Sequence, residues 1–365
     1  MNKTFRDTVE EKLLKIPGVR PLNEQNARYI EDFKDGTFGL TYLGFLLYCT
    51  GRNPKGLSTQ NPKGLIYFDG ENGFGIGIFR REGENDFGHI MAIAPRGLNS
   101  VNAIQKFYEK IILIPELKGK MFYIRFLKVE QYKQLLQINY QPVQEFPWHD
   151  EAFAEDETYS NSVIKIDELF EYSDNLTRQD KLYLKSKNNR ENLNRFKNFL
   201  SRSKFKWKWS RYNPIEAKNI VENHFKTLEE KHKRIGSMPE DYYNLLETNY
   251  SNKFSIIGKI TKADIEIPIS VFIGEKTAEN KLAIYCSISR RNPELIQELE
   301  TNNELEGFTA LSAYALLNCF AEIKIRMPEI EEIDLGGSET ADLNAFKRRL
   351  GCKNNPTYWV VKQIK

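Results

Sequence analysis

The segment from Glu332 to Gly351, EIDLGGSETADLNAFKRRLG, contains a strand, a glycine turn and a helix in immediate succession. Its apolar pattern predicts a strand over Glu332 to Leu335 and a helix over Ala341 to Leu350. The adjacent glycines between them permit positive φ and allow another chain or a ligand to approach the backbone closely. Asp334 ends the strand, where its carboxylate can orient an amine or simply cap the amides of the turn.

The residues before this segment predict three further strands, Phe254 to Ile260, Ile267 to Glu275 and Lys281 to Ser289. A helix from Thr309 to Ile325 separates the third of these from the strand at Glu332. Helical patterns precede all four strands in the second half of the chain. Helices followed by antiparallel strands that one central helix interrupts indicate an α+β fold.

A strongly basic stretch opens the second half. Residues 177 to 211 contain twelve Lys or Arg against two acidic residues, and Leu193, Phe196 and Leu200 recur at helical spacing. A cationic surface with aromatic neighbours suits the phosphates and splayed bases of RNA, while a solvated helix face is the equally simple explanation. The candidate contacts for a nucleic acid are Lys187, Arg190, Arg195 and Lys197.

Three motifs together resemble the Fem-type aminoacyltransferases. They are SKNNRENLNRFKNFL from Ser186, HKRIGSMPEDYYNLL from His232 and the closing segment from Glu332, in the family's order over about 200 residues. Phosphatidylglycerol lysyltransferase C-terminal domains and other members of the GNAT superfamily of N-acyltransferases have similar signatures. The resemblance implies an α+β fold of tandem GNAT-like (acyl-CoA N-acyltransferase) domains, with mixed, mostly antiparallel sheets flanked by helices.

The resemblance also implies a set of site residues in the second half. A lysine at the position of Lys347 lies near the acceptor site in the Fem-type motif, although a plain surface lysine is the alternative. With Asp334, Tyr285 and Ser287 it forms the candidate catalytic group, and core packing is the other explanation for the tyrosine and the serine. The candidate substrate-binding residues are Gly336, Gly337, Ser338, Glu339, Phe346 and Tyr314.

The turn before the central helix is a poor phosphate site. In a typical GNAT domain a glycine-rich turn holds the CoA pyrophosphate at the helix N-terminus. Here Glu304 and Glu306 would repel that anion, and Gly307 is the single glycine. This departure favours an aminoacyl-tRNA donor and leaves acyl-CoA as the alternative, with no further cofactor required.

The first half shows the opposite pattern. A strand from Phe87 to Ala94 leads into a turn and then a helix that begins near Ser100, the predicted N-cap. The candidate cofactor-binding residues are Arg96, Gly97, Asn99 and Ser100, and a helix cap without a ligand is the alternative. We expect a GNAT-like domain, degenerate or working, over residues 1–150 and a GNAT/Fem-like catalytic domain over 151–365.

Composition excludes several other classes of protein. Hydrophobic residues make up 40% of the 365, charged residues 28%, and the net charge is only +3, as expected of a globular protein. Four scattered cysteines and four histidines have no metal-ligand or disulfide spacing. The N-terminus lacks a signal-peptide core and the apolar runs are too short to cross a bilayer, so we expect a cytoplasmic protein without an integral membrane segment.

These observations predict an N-acyltransferase that transfers an aminoacyl or acyl group to an amine or hydroxyl acceptor. The favoured partner is aminoacyl-tRNA as donor. One alternative is an acetyl-CoA or acyl-CoA dependent N-acetyltransferase of a small molecule. Another is a non-catalytic tandem module that binds RNA or protein.

Overall fold

The computed structural model describes residues 5–50, 64–79, 88–143, 160–172, 182–231, 239–290, 295, 299, 307–338 and 341–365. The acidic, irregular composition of residues 146–160 predicts a linker, and this segment lies almost entirely outside the described residues. In chain order the α-helices are α1 (Phe5–Leu13), α2 (Glu24–Ala27), α3 (Tyr42–Cys49), α4 (Ser100–Ile111), α5 (Val129–Gln137), α6 (Ile166–Leu169), α7 (Lys187–Arg202), α8 (Pro214–Lys231), α9 (Glu240–Glu247), α10 (Leu311–Arg326) and α11 (Ala341–Leu350).

The strands form two large sheets and one hairpin. They are β1 (Val19–Pro21), β2 (Leu65–Phe68), β3 (Asn72–Phe79), β4 (His89–Gly97), β5 (Met121–Leu127), β6 (Gln141–Pro142), β7 (Ser160–Lys165), β8 (Phe170–Tyr172), β9 (Leu182–Leu184), β10 (Lys206–Ser210), β11 (Phe254–Lys262), β12 (Ile265–Ala278), β13 (Lys281–Ser289), β14 (Glu332–Asp334), β15 (Lys353–Pro356) and β16 (Tyr358–Gln363). The first sheet has the order β1-β2-β3-β4-β5-β16-β6, and the second has the order β10-β11-β12-β13-β14-β7-β15. β8 and β9 form the hairpin.

The two large sheets repeat one plan. In each, three antiparallel strands lead into a helix, α4 or α10, and the strand after that helix returns parallel to the third strand. Every other pairing in the two sheets is antiparallel. A helix between two parallel neighbours is the connection that a parallel pair requires. This repeated unit makes the chain a tandem structure.

A β-bulge marks the same place in both units. On β4, Ala94 and Pro95 together oppose one residue of β3, and on β13, Tyr285 is an extra residue between two partners on β12. The parallel pairing ends beside each bulge, at Ile93↔Arg125 in the first sheet and at Ala283↔Asp334 in the second. Because a bulge bends its strand, the parallel pairing does not continue past it. We call the space between the two unpaired strand ends the cleft of that half.

The last strand of the chain joins the first sheet. β16 lies between β5 and β6 of that sheet, whereas every strand of the second sheet, β7 included, comes from residues 160–356. The strand predicted from Tyr358 to Ile364 therefore exists, but it does not complete the second half as its position in the sequence suggested. The chain passes twice between the halves, and the first sheet is built from two separate segments.

Three apolar clusters hold the elements together. One packs α7 and α10 on the outer face of the second sheet, and another fills the first half. The third joins the halves, because α3 packs with α8 and α9 on the inner face of the second sheet. One helix, Phe308–Arg326, has the length and apolar character to cross a bilayer, but most of it is buried in the core. Cys286 and Cys319 are buried free cysteines.

Candidate functional site

The cleft of the first half is filled by the side chain of Arg96. This guanidinium is 5% exposed and donates from Nε to Asp35 Oδ2 over 2.8 Å. Its two terminal nitrogens donate to the Phe126 carbonyl, 3.3 Å away, and to the Thr37 hydroxyl. Burial opposes ionisation of Asp35, but the charge of Arg96 and hydrogen bonds from Lys128 and Thr37 lower its pKa to about 2. Arg96 is thus neutralised inside the protein.

Gln131 closes the rest of this cleft. Its amide nitrogen donates to the Pro95 carbonyl over 2.8 Å and to the Ser100 hydroxyl over 2.6 Å. These are the polar groups that the bulge and the helix start would otherwise offer to a ligand. Protein partners thus occupy the side chains of Arg96 and Ser100, and the role of these residues in binding a cofactor stays a prediction.

The other two predicted cofactor residues shape the turn. Asn99, and not Ser100, is the N-cap of α4, with its side chain accepting from the Asn102 amide at 3.2 Å. Gly97 has φ +124°, and a Cβ there would collide with the Glu71 carbonyl. Only glycine allows this approach of the start of β3 to the end of β4. The geometry fits a helix cap without a ligand.

Asp334 lies where the strands of the second half part. Its carboxylate is 7% exposed, and it accepts from the Gly336 amide at 2.8 Å and from the Asn161 side chain at 2.9 Å. Burial raises the pKa of Asp334 to about 7, although these two hydrogen bonds and the charge of Lys347 oppose the rise. The carboxyl group is thus both the cap of the turn and a group that titrates near neutral pH.

Lys347 holds the same turn from the other side. Its ammonium, on α11, donates to the carbonyls of Leu335, Gly336 and Gly337 at 3.2, 3.2 and 2.6 Å. Three successive carbonyls thus face three ammonium protons. Asp334 and Lys347, which the sequence predicted to share one site, both contact this turn. Their chemical roles stay predictions.

The first half supplies one wall of this region. Gly336 has φ +67°, and a Cβ on it would lie 2.7 Å from the Phe38 ring. Phe38 also packs against Tyr285, with ring centroids 4.9 Å apart. The Tyr285 hydroxyl accepts from Thr41 Oγ1 at 2.8 Å and from the Gly39 amide at 3.3 Å. Tyr285 therefore joins the halves at the bulge instead of lining an open pocket, and burial raises its pKa well above the usual value.

The remaining predicted residues of the second half are dispersed. Ser287 is exposed on β13 beyond the bulge, opposite Phe272. Tyr314 is a core residue whose ring packs 4.6 Å from that of Phe196, and burial raises its pKa to about 12. Phe346 is half-buried against the outer cluster. Ser338 follows the turn and is 2% exposed, and Glu339 lies outside the described residues.

The basic helix α7 runs beside the start of the central helix. Phe196 stacks on Phe308, and a Cβ on Gly307 would lie 2.6 Å from the Arg195 carbonyl. Lys187, Arg195 and Lys197 are exposed, with Lys187 Nζ 3.8 Å from Glu191. Arg190 instead donates to the carbonyls of Leu184 and Lys185, both at 2.8 Å. Most of the acidic turn before Gly307 lies outside the described residues.

Sequence reasoning missed the polar network between the halves. Glu275, with a fully buried side chain, accepts from the Leu43 amide at 2.9 Å and from Lys34 Nζ at 3.1 Å. Burial raises its pKa, against the charge of Lys34. A glutamate at the end of the apolar run ISVFIGE was the available signal, since a charge inside a buried strand needs a partner.

No family model and no curated protein matches the sequence. Among solved structures, the chain is similar to L-PGS from Bacillus licheniformis, with a TM-score of 0.54, 10% identity and coverage of 95% of this chain and 94% of that one. A conserved protein of unknown function from Bacteroides thetaiotaomicron gives a TM-score of 0.54, 9% identity and coverage of 94% and 98%. A tandem GNAT protein of the clavulanic acid biosynthesis pathway gives 0.41, 7% and coverage of 83% and 82%.

At these identities the similarity concerns the fold. It agrees with the repeated strand and helix order, and the predicted α+β fold of tandem domains with mixed, mostly antiparallel sheets flanked by helices is confirmed. The likeness to Fem-type enzymes stays a prediction. Among the described residues, no group of three His, Cys, Asp or Glu side chains is placed to hold a metal ion.

Proposed function

We propose that the protein is a GNAT-type acyltransferase whose active cleft lies in the second half. One observation carries the proposal: the two parted strand pairs differ in what borders them. The first cleft is filled by Arg96 and Gln131, which bond to its free carbonyls and to the helix start. The second is bordered by the glycine turn and by the buried carboxyl group of Asp334.

The reaction we propose needs no covalent enzyme intermediate. The lone pair of an acceptor amine or hydroxyl attacks the acyl carbonyl carbon, and the ester or thioester bond to the leaving group breaks. The acceptor loses a proton, and the leaving oxygen or sulfur gains one. Asp334, with a pKa of about 7, suits the uptake of that proton, because a catalytic base works best near the operating pH.

We favour an aminoacyl group carried by tRNA as the donor. The exposed cations Lys187, Arg195 and Lys197 lie on the helix that packs against the start of α10, where a GNAT donor presents its phosphates. A polyanion gains affinity from such a row through release of its counterions. Arg190 is left out of this group because two backbone carbonyls already bind its guanidinium.

A binding experiment separates the donors. The protein is titrated with aminoacyl-tRNA and with acetyl-CoA, and transfer of the labelled acyl group to a panel of amines is followed. Micromolar tRNA binding and aminoacyl transfer are the expected results. Binding of acetyl-CoA with indifference to tRNA would replace the donor with acyl-CoA. Binding without transfer from either donor would leave an RNA- or protein-binding module.

A further inference from the structure

The turn after β14 carries backbone amides and a hydroxyl without partners. Among the described residues, no acceptor lies within hydrogen-bond reach of the Gly337 or Ser338 amide. The Ser338 hydroxyl is likewise unpaired, although the residue is only 2% exposed. An unpaired buried donor costs about 1–3 kcal/mol, and the amide and the hydroxyl of Ser338 are two such donors in one residue.

The cause lies in how Lys347 holds the turn. Its ammonium gathers the carbonyls of Leu335, Gly336 and Gly337 on one side. In a peptide unit the N–H points away from the C=O, so the Gly337 and Ser338 amides, which follow the second and third of these carbonyls, are directed away from the ammonium. Consecutive amides that point the same way form an anion-binding concavity. The half-buried Gly337 leaves one side of the turn open to solvent.

We infer that the Gly337 and Ser338 amides, with the Ser338 hydroxyl, bind the anionic oxygen that forms on the acyl carbon during transfer. This inference rests on the proposed function. When the acceptor's lone pair adds to the carbonyl carbon, the C=O π pair moves onto oxygen. The three donors stabilise that oxyanion until the C=O bond re-forms and the leaving group departs with its bonding pair. Fixed donors of this kind act mainly on the transition state.

Lys347 has a positioning role in this arrangement. Its protons bind the carbonyls of the turn and are not free for the oxyanion, yet its charge stands behind the amides. Asp334 fixes the start of the turn from the strand side, because its carboxylate accepts a hydrogen bond from the Gly336 amide. The donors are therefore held before a substrate arrives, as a site without reorganisation requires.

The test uses the full chain and inorganic phosphate as an anion probe, so that it does not depend on any acyl donor. Amide resonances are followed by ¹H–¹⁵N NMR during a phosphate titration. We expect saturable downfield shifts of the Gly337 and Ser338 amides. Ser338→Ala should weaken phosphate binding by about tenfold, as the loss of one charge-assisted hydrogen bond predicts.

Ser270→Ala is the matched control, because Ser270 also has a buried hydroxyl without a partner but lies on β12, opposite Ser289 of β13. It should leave the phosphate affinity unchanged. Absence of saturable shifts at both amides, or equal effects of the two alanine variants, would overturn the inference. Shifts of the expected kind in a protein that transfers no acyl group would support the anion site and reject the proposed function alone.

Discussion

Replacing Asp334 with asparagine tests whether this carboxyl group is a titrating group or only a cap. Asparagine keeps an oxygen that accepts from the Gly336 amide, so the turn is preserved, and a flip of the Asn161 amide restores the second bond. What the substitution removes is the charge and the proton. The groups that face this position are Lys347 from α11, Glu332 on the same strand and the Cys352 thiol.

The magnitude follows from the pKa of Asp334. Burial raises it from 3.8 to about 7, so the folded protein holds the proton between these values while the unfolded chain releases it. Stability therefore falls as the pH rises through that window. The difference between the two pKa values corresponds to a loss of roughly 4 kcal/mol in the free energy of unfolding. This loss is complete above the pKa of Asp334 in the folded protein and absent below its pKa in the unfolded chain. The asparagine side chain cannot ionise, so the variant lacks this loss.

Urea unfolding of both proteins at pH 5 and pH 8 measures the effect. From pH 5 to pH 8 the free energy of unfolding of the variant should rise by about 3 kcal/mol relative to that of the wild type. The rate of acyl transfer should fall by at least about a hundredfold if Asp334 takes the proton. A stability difference independent of pH would refute the raised pKa. Unchanged transfer with a preserved fold would show that Asp334 is only the cap of the turn.

Three further predictions concern the neighbouring features. Gly336→Ala should lose about 1–3 kcal/mol in urea unfolding, because a Cβ at φ +67° meets Phe38. Gly337→Ala should lose less, because Gly337 is not among the described glycines with positive φ. Arg96→Met should cost about 1–3 kcal/mol, because the Phe126 carbonyl and the Thr37 hydroxyl lose their donor while Asp35 keeps Lys128 as its cation, yet it should leave tRNA and CoA binding unchanged. Charge neutralisation on α7 should lower the salt dependence of tRNA binding by about 2 units of log–log slope, measured by filter binding, while the same number of Gln substitutions at exposed first-half lysines should not. The three α7 substitutions are Lys187→Gln, Arg195→Gln and Lys197→Gln, and the controls are Lys106→Gln, Lys110→Gln and Lys118→Gln.

The sequence predicted the parts of the site that lie close together along the chain. Asp334, Gly336 and Lys347 fall within fourteen consecutive residues, and a strand, a turn and a helix of this length bring them into contact. The contribution of Phe38 was beyond local patterns, because it comes from a segment about 300 residues earlier. Periodicity reports which face of an element is buried, but not against which other element.

Arg96 is a second residue whose decisive contact is distant in sequence. The strand, glycine turn and helix around it were predicted close to their observed bounds. The partner of Arg96 was not predictable, because a basic residue before a helix N-terminus looks the same whether an anion or a carboxylate of the protein neutralises it. Asp35, its partner in the structure, is distant in sequence. Strand β16 is a similar case, because its sequence pattern predicts a strand but not that the strand pairs with β5 of the first sheet.

The first half contacts the turn and the bulge of the second half, although side chains fill its own cleft. The Phe38 ring lies against Gly336 in the glycine turn of the second half. Thr41 and the Gly39 amide donate hydrogen bonds to the hydroxyl of Tyr285 at the bulge. The same α3 start donates the Leu43 amide to Glu275, so one short segment of the first half contacts the second sheet on both β12 and β13. Because β16 follows the last strand of the second sheet and pairs with β5 and β6, the halves cannot separate unless β16 leaves the first sheet. The first half therefore contributes a fixed wall to the glycine turn of the second half.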